Sequence, residues 1–146
     1  MNFVELLLVL ATVLNVGNSN IITVKNDTGQ IQTVKLACIN LPNATKKPDN
    51  LAATEKLNQL LPAGSPVVIR RVTEDKGDRI TGEIFVDNQS VNLRLVAEGN
   101  AVIDQDTIYY CSETKTQYLI AQANAQNKRL GIWQQINPDT TKKIPR

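Results

Sequence analysis

Lys35, Lys76 and Arg79 are cations of a kind that can grip phosphate, and Asn18, Asn20, Asn40 and Asn43 are amides that can offer oxygen to a hard cation. Arginine holds phosphoryl oxygens with a planar two-point fork, whereas lysine supplies a point charge. An asparagine carbonyl can coordinate a cation, but it carries no negative charge and takes no proton from water at neutral pH. Taken alone, each residue has a plainer reading. Lys35 reads as a solvated strand lysine, Arg70-Arg71 as a pair alternating between the faces of another strand, and Asn18-Ser19-Asn20 as a turn chosen for its conformation. Cys38 and Cys111 stand too far apart for a metal knuckle, and the sequence has no histidine to complete a zinc site. They read as a disulfide closing a long loop or as two buried thiols. The disulfide would imply an oxidising compartment, and an exported, periplasmic or lumenal location.

The hydropathy pattern predicts what holds these groups in place. Val13–Val16 and Ile21–Lys25 flank Gly17-Asn18-Ser19-Asn20, which predicts a hairpin. Asn26-Asp27-Thr28-Gly29 marks a second turn. Gln30–Ile39 then alternates Ile31, Thr33 and Lys35 against Val34, Leu36 and Cys38 as a third strand. Pro42 ends it, the polar stretch Asn43–Asn50 with Lys46-Lys47-Pro48 reads as an exposed loop, and Ala52–Leu61 has the apolar spacing of a helix. Val67–Val72 and Ile80–Val86 predict two more strands, the second closed by Asp87-Asn88-Gln89. Ser90 caps a helix that stops at Gly99, and a last helix spans Glu113–Leu130 with Tyr118, Ala121, Ala125 and Leu130 on its inner stripe. The Tyr109-Tyr110 pair beside Cys111 reads as core packing. This order of strands and helices is compatible with an α+β domain built on a five-stranded barrel of the oligonucleotide-binding type.

At 146 residues, 42% hydrophobic and 4% aromatic, the chain is sized for one domain with a core of Val, Ile, Leu and Ala. No apolar run reaches the roughly 18 residues of a lipid-spanning helix. Phe3–Val16 is apolar, but no Lys or Arg precedes it, Glu5 interrupts it and no Ala-x-Ala site follows, so it makes a poor export signal. Residues 1–10 read as a leader or as the start of the first strand, 11–136 as the domain, and 137–146 as a basic, disordered tail. The net charge of +2 divides unevenly: 7 basic against 4 acidic residues over 1–73, 3 against 9 over 74–113, and 6 against 1 over 114–146. A dedicated nucleic-acid binder shows a stronger basic bias, because phosphate neutralisation supplies much of its affinity. The Asn-x-Ser/Thr triplets at Asn26, Asn43 and Asn88 are expected by chance in a chain this rich in those residues.

Four segments carry a resemblance: residues 11–24, Val-Lys-Leu-Ala-Cys-Ile-Asn-Leu-Pro-Asn at 34–43, Arg79 through Asn92, and Lys128 through Trp133. Together they resemble the staphylococcal nuclease (thermonuclease-like) family. The resemblance implies a five-stranded oligonucleotide-binding barrel with three helices, and a calcium-dependent phosphodiesterase site. In the family an Asp-Gly-Asp turn joins the first two strands, and the third strand ends in a motif like Arg-x-x-x-x-Asp-x-Pro-Glu. Here those positions hold Asn18, Asn20, Lys35, Asn40 and Asn43. Three carboxylates replaced by amides take about three negative charges from the metal site. Asn43 stands where the family's glutamate would act as general base. Lys35 and Arg79 fall at the family's two phosphate-clamping arginines, with Lys76 as a third cation. Gly77-Asp78 replaces a Tyr-Gly, and Asp104-Gln105-Asp106-Thr107 stands near the place of nucleotide-holding tyrosines.

Three functions are compatible with this pattern. One is a degenerate nuclease-like domain with no cofactor, binding single-stranded nucleic acid or another polyanion weakly through Lys35, Lys76, Arg79 and Lys46-Lys47. A second is an active nuclease that uses calcium, recruiting Asp78, Asp104 or Asp106 to the site. The third is a protein-interaction module with an inert pocket.

Overall fold

Val13, Ile22, Val24, Val34, Ile69, Ile80 and Ile84 all lie on one side of their strands and are all buried, so the strands share a single interior. The computed structural model describes residues 8–17, 21–41, 47–73 and 77–134. The strands are β1 (Leu8–Val16), β2 (Ile22–Asn26), β3 (Ile31–Leu36), β4 (Ile39–Asn40), β5 (Pro66–Arg71), β6 (Arg79–Val86), β7 (Gln89–Ser90) and β8 (Val102–Ile103). Helix α1 (Lys47–Leu60) lies between β4 and β5, α2 (Val91–Ala97) follows β7, and α3 (Lys115–Asn127) follows a 3-10 turn at Ile108–Cys111. A second 3-10 turn spans Gly131–Trp133.

The sheet runs β3-β2-β1-β5-β6, and a parallel pairing of β3 with β6 closes it into a five-stranded mixed barrel. With three helices, this is the α+β oligonucleotide-binding architecture expected from the sequence. Strands β4 and β8 form a separate two-stranded ladder. No helix among the described residues is long and apolar enough to cross a membrane.

Closing a small barrel forces backbones together, and Gly82 lies at one such approach, between β6 and β5. A Cβ there would stand 2.7 Å from the Arg70 carbonyl oxygen and 2.8 Å from Ile69 Cγ2. Gly82→Ala is expected to cost about 1–3 kcal/mol through overpacking, read as a lower urea midpoint with an unchanged slope. Gly99 and Gly131 form a second close approach, each at positive φ and each with its Cβ direction blocked by the backbone of the other's segment. Ile132 N–H donates to Gly99 O at 2.8 Å there, fastening the C-terminal 3-10 turn to the end of α2.

The elements differ from the sequence reading in three places. The third strand stops at Leu36 because the chain turns at Ala37–Cys38, with Cys38 at a φ of 71°. The expected loop over 43–50 is already helix from Lys47, since Pro48 falls in the first turn, where its missing N–H costs nothing. Helix α1 then buries Ala53 and Leu57, and Leu61 just past its end continues the four-residue spacing. Helix α3 is shorter than expected, and Leu130 is exposed because the chain has left the helix by then. The 137–146 tail and most of the 1–10 segment lie outside the described residues, although β1 begins at Leu8 and pairs from there with Arg70. The turn after β6 has Asp87 and Asn88 both at positive φ, as a two-residue hairpin loop requires.

Candidate functional site

The parallel β3–β6 pairing sets Thr33 against Arg79 and Lys35 against Thr81. Because side chains alternate along a strand, Lys35 and Arg79 fall on the same outer face as diagonal neighbours. Both are exposed, while Val34, Leu36 and Ile80 turn inward and are buried. Thr33 N–H donates to the Asp78 carbonyl at 2.8 Å and fixes the start of β6. The barrel thus presents two cations side by side, with Asp78 exposed next to them.

Asn40 ends β4 and is exposed, opposite Val102 of β8. Its position depends on the turn at Ala37–Cys38, which is held from inside by fully buried Asn92. Asn92 Nδ2 donates to the carbonyls of Ala37 (2.9 Å) and Gly82 (3.3 Å), and its Oδ1 accepts from Ile84 N–H at 3.0 Å. Asn18, Asn20, Asn43, Lys46 and Lys76 lie outside the described residues. The structure therefore brings together Lys35 and Arg79, and it fixes the backbone carrying Asn40.

Cys38 and Cys111 are joined, and the reading as two free thiols is set aside. The disulfide ties the β3–β4 turn to the 3-10 turn at Ile108–Cys111. That 3-10 turn carries Tyr109 and Tyr110 outward, 58% and 39% exposed, with ring centroids 4.3 Å apart. Their reading as core packing is corrected. Ile108 and Cys111 are the residues of this turn that go inside, leaving the two between them to face solvent.

Asp104 is engaged locally. Its Oδ1 accepts from Asp106 N–H at 3.0 Å and its Oδ2 from Thr107 Oγ1–H at 2.7 Å, which starts the 3-10 turn. Among the described residues no three His, Cys, Asp or Glu side chains converge in a manner suited to a metal ion.

Sequence reasoning missed a buried polar cluster among the described residues. Glu83 is 1% exposed and sits opposite Arg70 across β5 and β6. Its Oε1 accepts from Arg70 Nη2 at 2.9 Å, and its Oε2 accepts from Tyr118 Oη at 2.7 Å and from Ser90 Oγ at 2.9 Å. Ser90 Oγ also accepts from Leu93 N–H at 3.0 Å, capping α2. Burial, and then the Glu83 carboxylate, push the Tyr118 phenol far above its usual range, so it stays a donor. One carboxylate thereby links β5, β6, α2 and α3. The signal lay in the sequence as opposite charges, Arg70 and Glu83, set into the two otherwise largely apolar strands that pair as β5 and β6.

Residues 33–135 match a family model described as staphylococcal nuclease homologue, a span that takes in more than half of the chain. It includes Lys35, Asn40, Asn43, Lys76, Arg79 and both cysteines, and it begins inside β3, after the β1–β2 hairpin. No curated protein matches the chain significantly.

Proposed function

The chain belongs to the staphylococcal nuclease homologue family, and from that premise we propose that it has lost calcium-dependent phosphodiester hydrolysis and keeps weak binding of single-stranded nucleic acid or a similar polyanion. The observation that carries the binding half is the exposed pair of Lys35 and Arg79 on adjacent strands of one face. Two neighbouring cations can take successive phosphates or two oxygens of one. Lysine in place of a second fork leaves the grip loose.

The loss of hydrolysis is supported by the donor set. A tight calcium site needs several hard oxygens, and its affinity follows how many are charged. The family's ligand positions hold Asn18, Asn20 and Asn40, all amides, and this set does not fit the ion. Asn43 has no basic lone pair to take a proton from water. Recruitment of Asp104 is disfavoured because both its oxygens already hold the 3-10 turn. The reading therefore assigns no catalytic residue and no cofactor, and Lys35, Arg79 and Lys76 are the phosphate-contacting groups.

The test is oligonucleotide binding and cleavage in calcium and in chelator. Wild type is expected to bind single strands equally in both without cutting them. Lys35→Ala/Arg79→Ala is expected to weaken binding about tenfold and to flatten the dependence of log affinity on log salt by about 1–2. An affinity for nucleic acid untouched by the double substitution would overturn the assignment. A protein partner whose binding survives it would favour an interaction module instead.

A further inference from the structure

The two sulfurs of the disulfide have unlike surroundings. Arg70 Nη2 gives one N–H to Glu83 Oε1 at 2.9 Å and directs its other toward Cys111 Sγ at 3.8 Å. Glu83 shares that cation, but its remaining oxygen is turned to Tyr118 and Ser90. Cys38 Sγ instead lies 3.6 Å from the Thr107 carbonyl oxygen, the negative end of a dipole. A developing thiolate is stabilised at Cys111 and opposed at Cys38. In thiol–disulfide exchange the sulfur better able to carry negative charge leaves, and the other is attacked.

The backbone adds a second asymmetry. Cys38 has a φ of 71°, a left-handed conformation that a residue with a Cβ adopts only under constraint. At the other end, the 3-10 turn Ile108–Cys111 is four residues long and has no side-chain cap bond at Thr107. What holds it is the Asp104–Thr107 contact at its start and the burial of Ile108 and Cys111, and a local opening of the turn must break these. Both cysteines are buried, 2% and 1% exposed for Cys38 and Cys111, so attack needs that opening.

We propose that Cys38–Cys111 is a reducible clamp on the candidate site, opened by a dithiol that attacks Cys38 and expels Cys111 as the thiolate beside Arg70. A bond forms between the attacking sulfur and Cys38 Sγ, and the Cys38–Cys111 bond breaks with its electron pair on Cys111. The second thiol of the reductant then closes on the first, releasing Cys38. The dithiol becomes a disulfide, and the chain gains two electrons and two protons. The turn bearing Tyr109 and Tyr110 is freed from the β3–β4 turn that begins two residues past Lys35. The thiol chemistry stands on the geometry above, while its effect on ligand binding rests on the polyanion reading.

The experiment exposes the oxidised full chain to glutathione, quenches with acid, alkylates free thiols and maps both cysteines by mass. Glutathione is expected on Cys38 over Cys111 by about fivefold, and Arg70→Gln is expected to erase that preference. Equal labelling of the wild type, or glutathione mainly on Cys111, would overturn the order of attack and needs no variant to establish. Hydrogen exchange after full reduction is expected to speed at least about tenfold at Tyr110, Cys111 and Thr114 while β1, β2 and β5 stay protected. Loss of protection throughout the barrel would overturn the clamp, since the bond would then hold up the whole domain. Oligonucleotide affinity is expected to fall about fivefold on reduction, because the loosened turn must be reordered on binding. If the oxidised chain binds no oligonucleotide, the polyanion reading fails, and the mass map still decides the clamp.

Discussion

Glu83→Ala is expected to lower the unfolding free energy by about 3–5 kcal/mol, the range for removing one partner of a buried charge pair. The substitution leaves three donors without their acceptor: Arg70 Nη2, Ser90 Oγ and Tyr118 Oη. Tyr118 is fully buried and cannot turn to water, whereas the Arg70 side chain is 31% exposed and can recover part of its hydration. The lower half of the range is therefore the closer expectation. Tyr118→Phe removes a single bond and should cost about 1–2 kcal/mol, because Glu83 keeps its other partners. Urea unfolding followed by circular dichroism separates these values. A Glu83→Ala protein within about 1 kcal/mol of wild type would show that the cluster only fills space.

That cluster also marks where the sequence stops being legible. Strands β1, β2, β3, β5 and β6 could be read because each alternates or is wholly apolar, and because Gly and Asn punctuate their ends. Gly99 could be read as a stop and Ser90 as a cap, and Ser90 Oγ does accept from Leu93 N–H. The β4–β8 ladder could not be read, since two-residue strands carry no periodicity. Nor could the pairing of Arg70 with Glu83, because register is set by barrel closure and not by either strand alone. The outward direction of Tyr109 and Tyr110 is illegible for a related reason. A four-residue 3-10 turn has no stripe to betray which side faces out. Of the candidate site, the sequence supplied the residue identities, and the parallel β3–β6 register supplied the adjacency of Lys35 and Arg79.

Installing the acidic groups that the family resemblance assigns to these positions gives the largest expected effect. A variant carrying Asn18→Asp, Asn20→Asp, Asn40→Asp, Asn43→Glu and Lys35→Arg is expected to cleave single-stranded DNA in calcium at least about 10²-fold faster than wild type. The estimate is a lower one, because a positioned base alone contributes about 10²–10⁴-fold and the metal acts on the same water. The scaffold around Asn40 and Lys35 favours recovery. Asn92 already fixes the turn that carries Asn40, and Arg79 already stands beside Lys35. The same variant with Asn43 retained separates the two losses: it should bind calcium, seen as a calcium-dependent rise in melting temperature, and cleave little. Cleavage by wild type at the rate of the restored protein would show that other groups supply the base and the charge, and the degenerate reading would fall. Calcium stabilisation without cleavage in the fully restored variant would place the defect in substrate positioning, where on the family resemblance Gly77-Asp78 and Asp104 through Thr107 replace nucleotide-contacting residues.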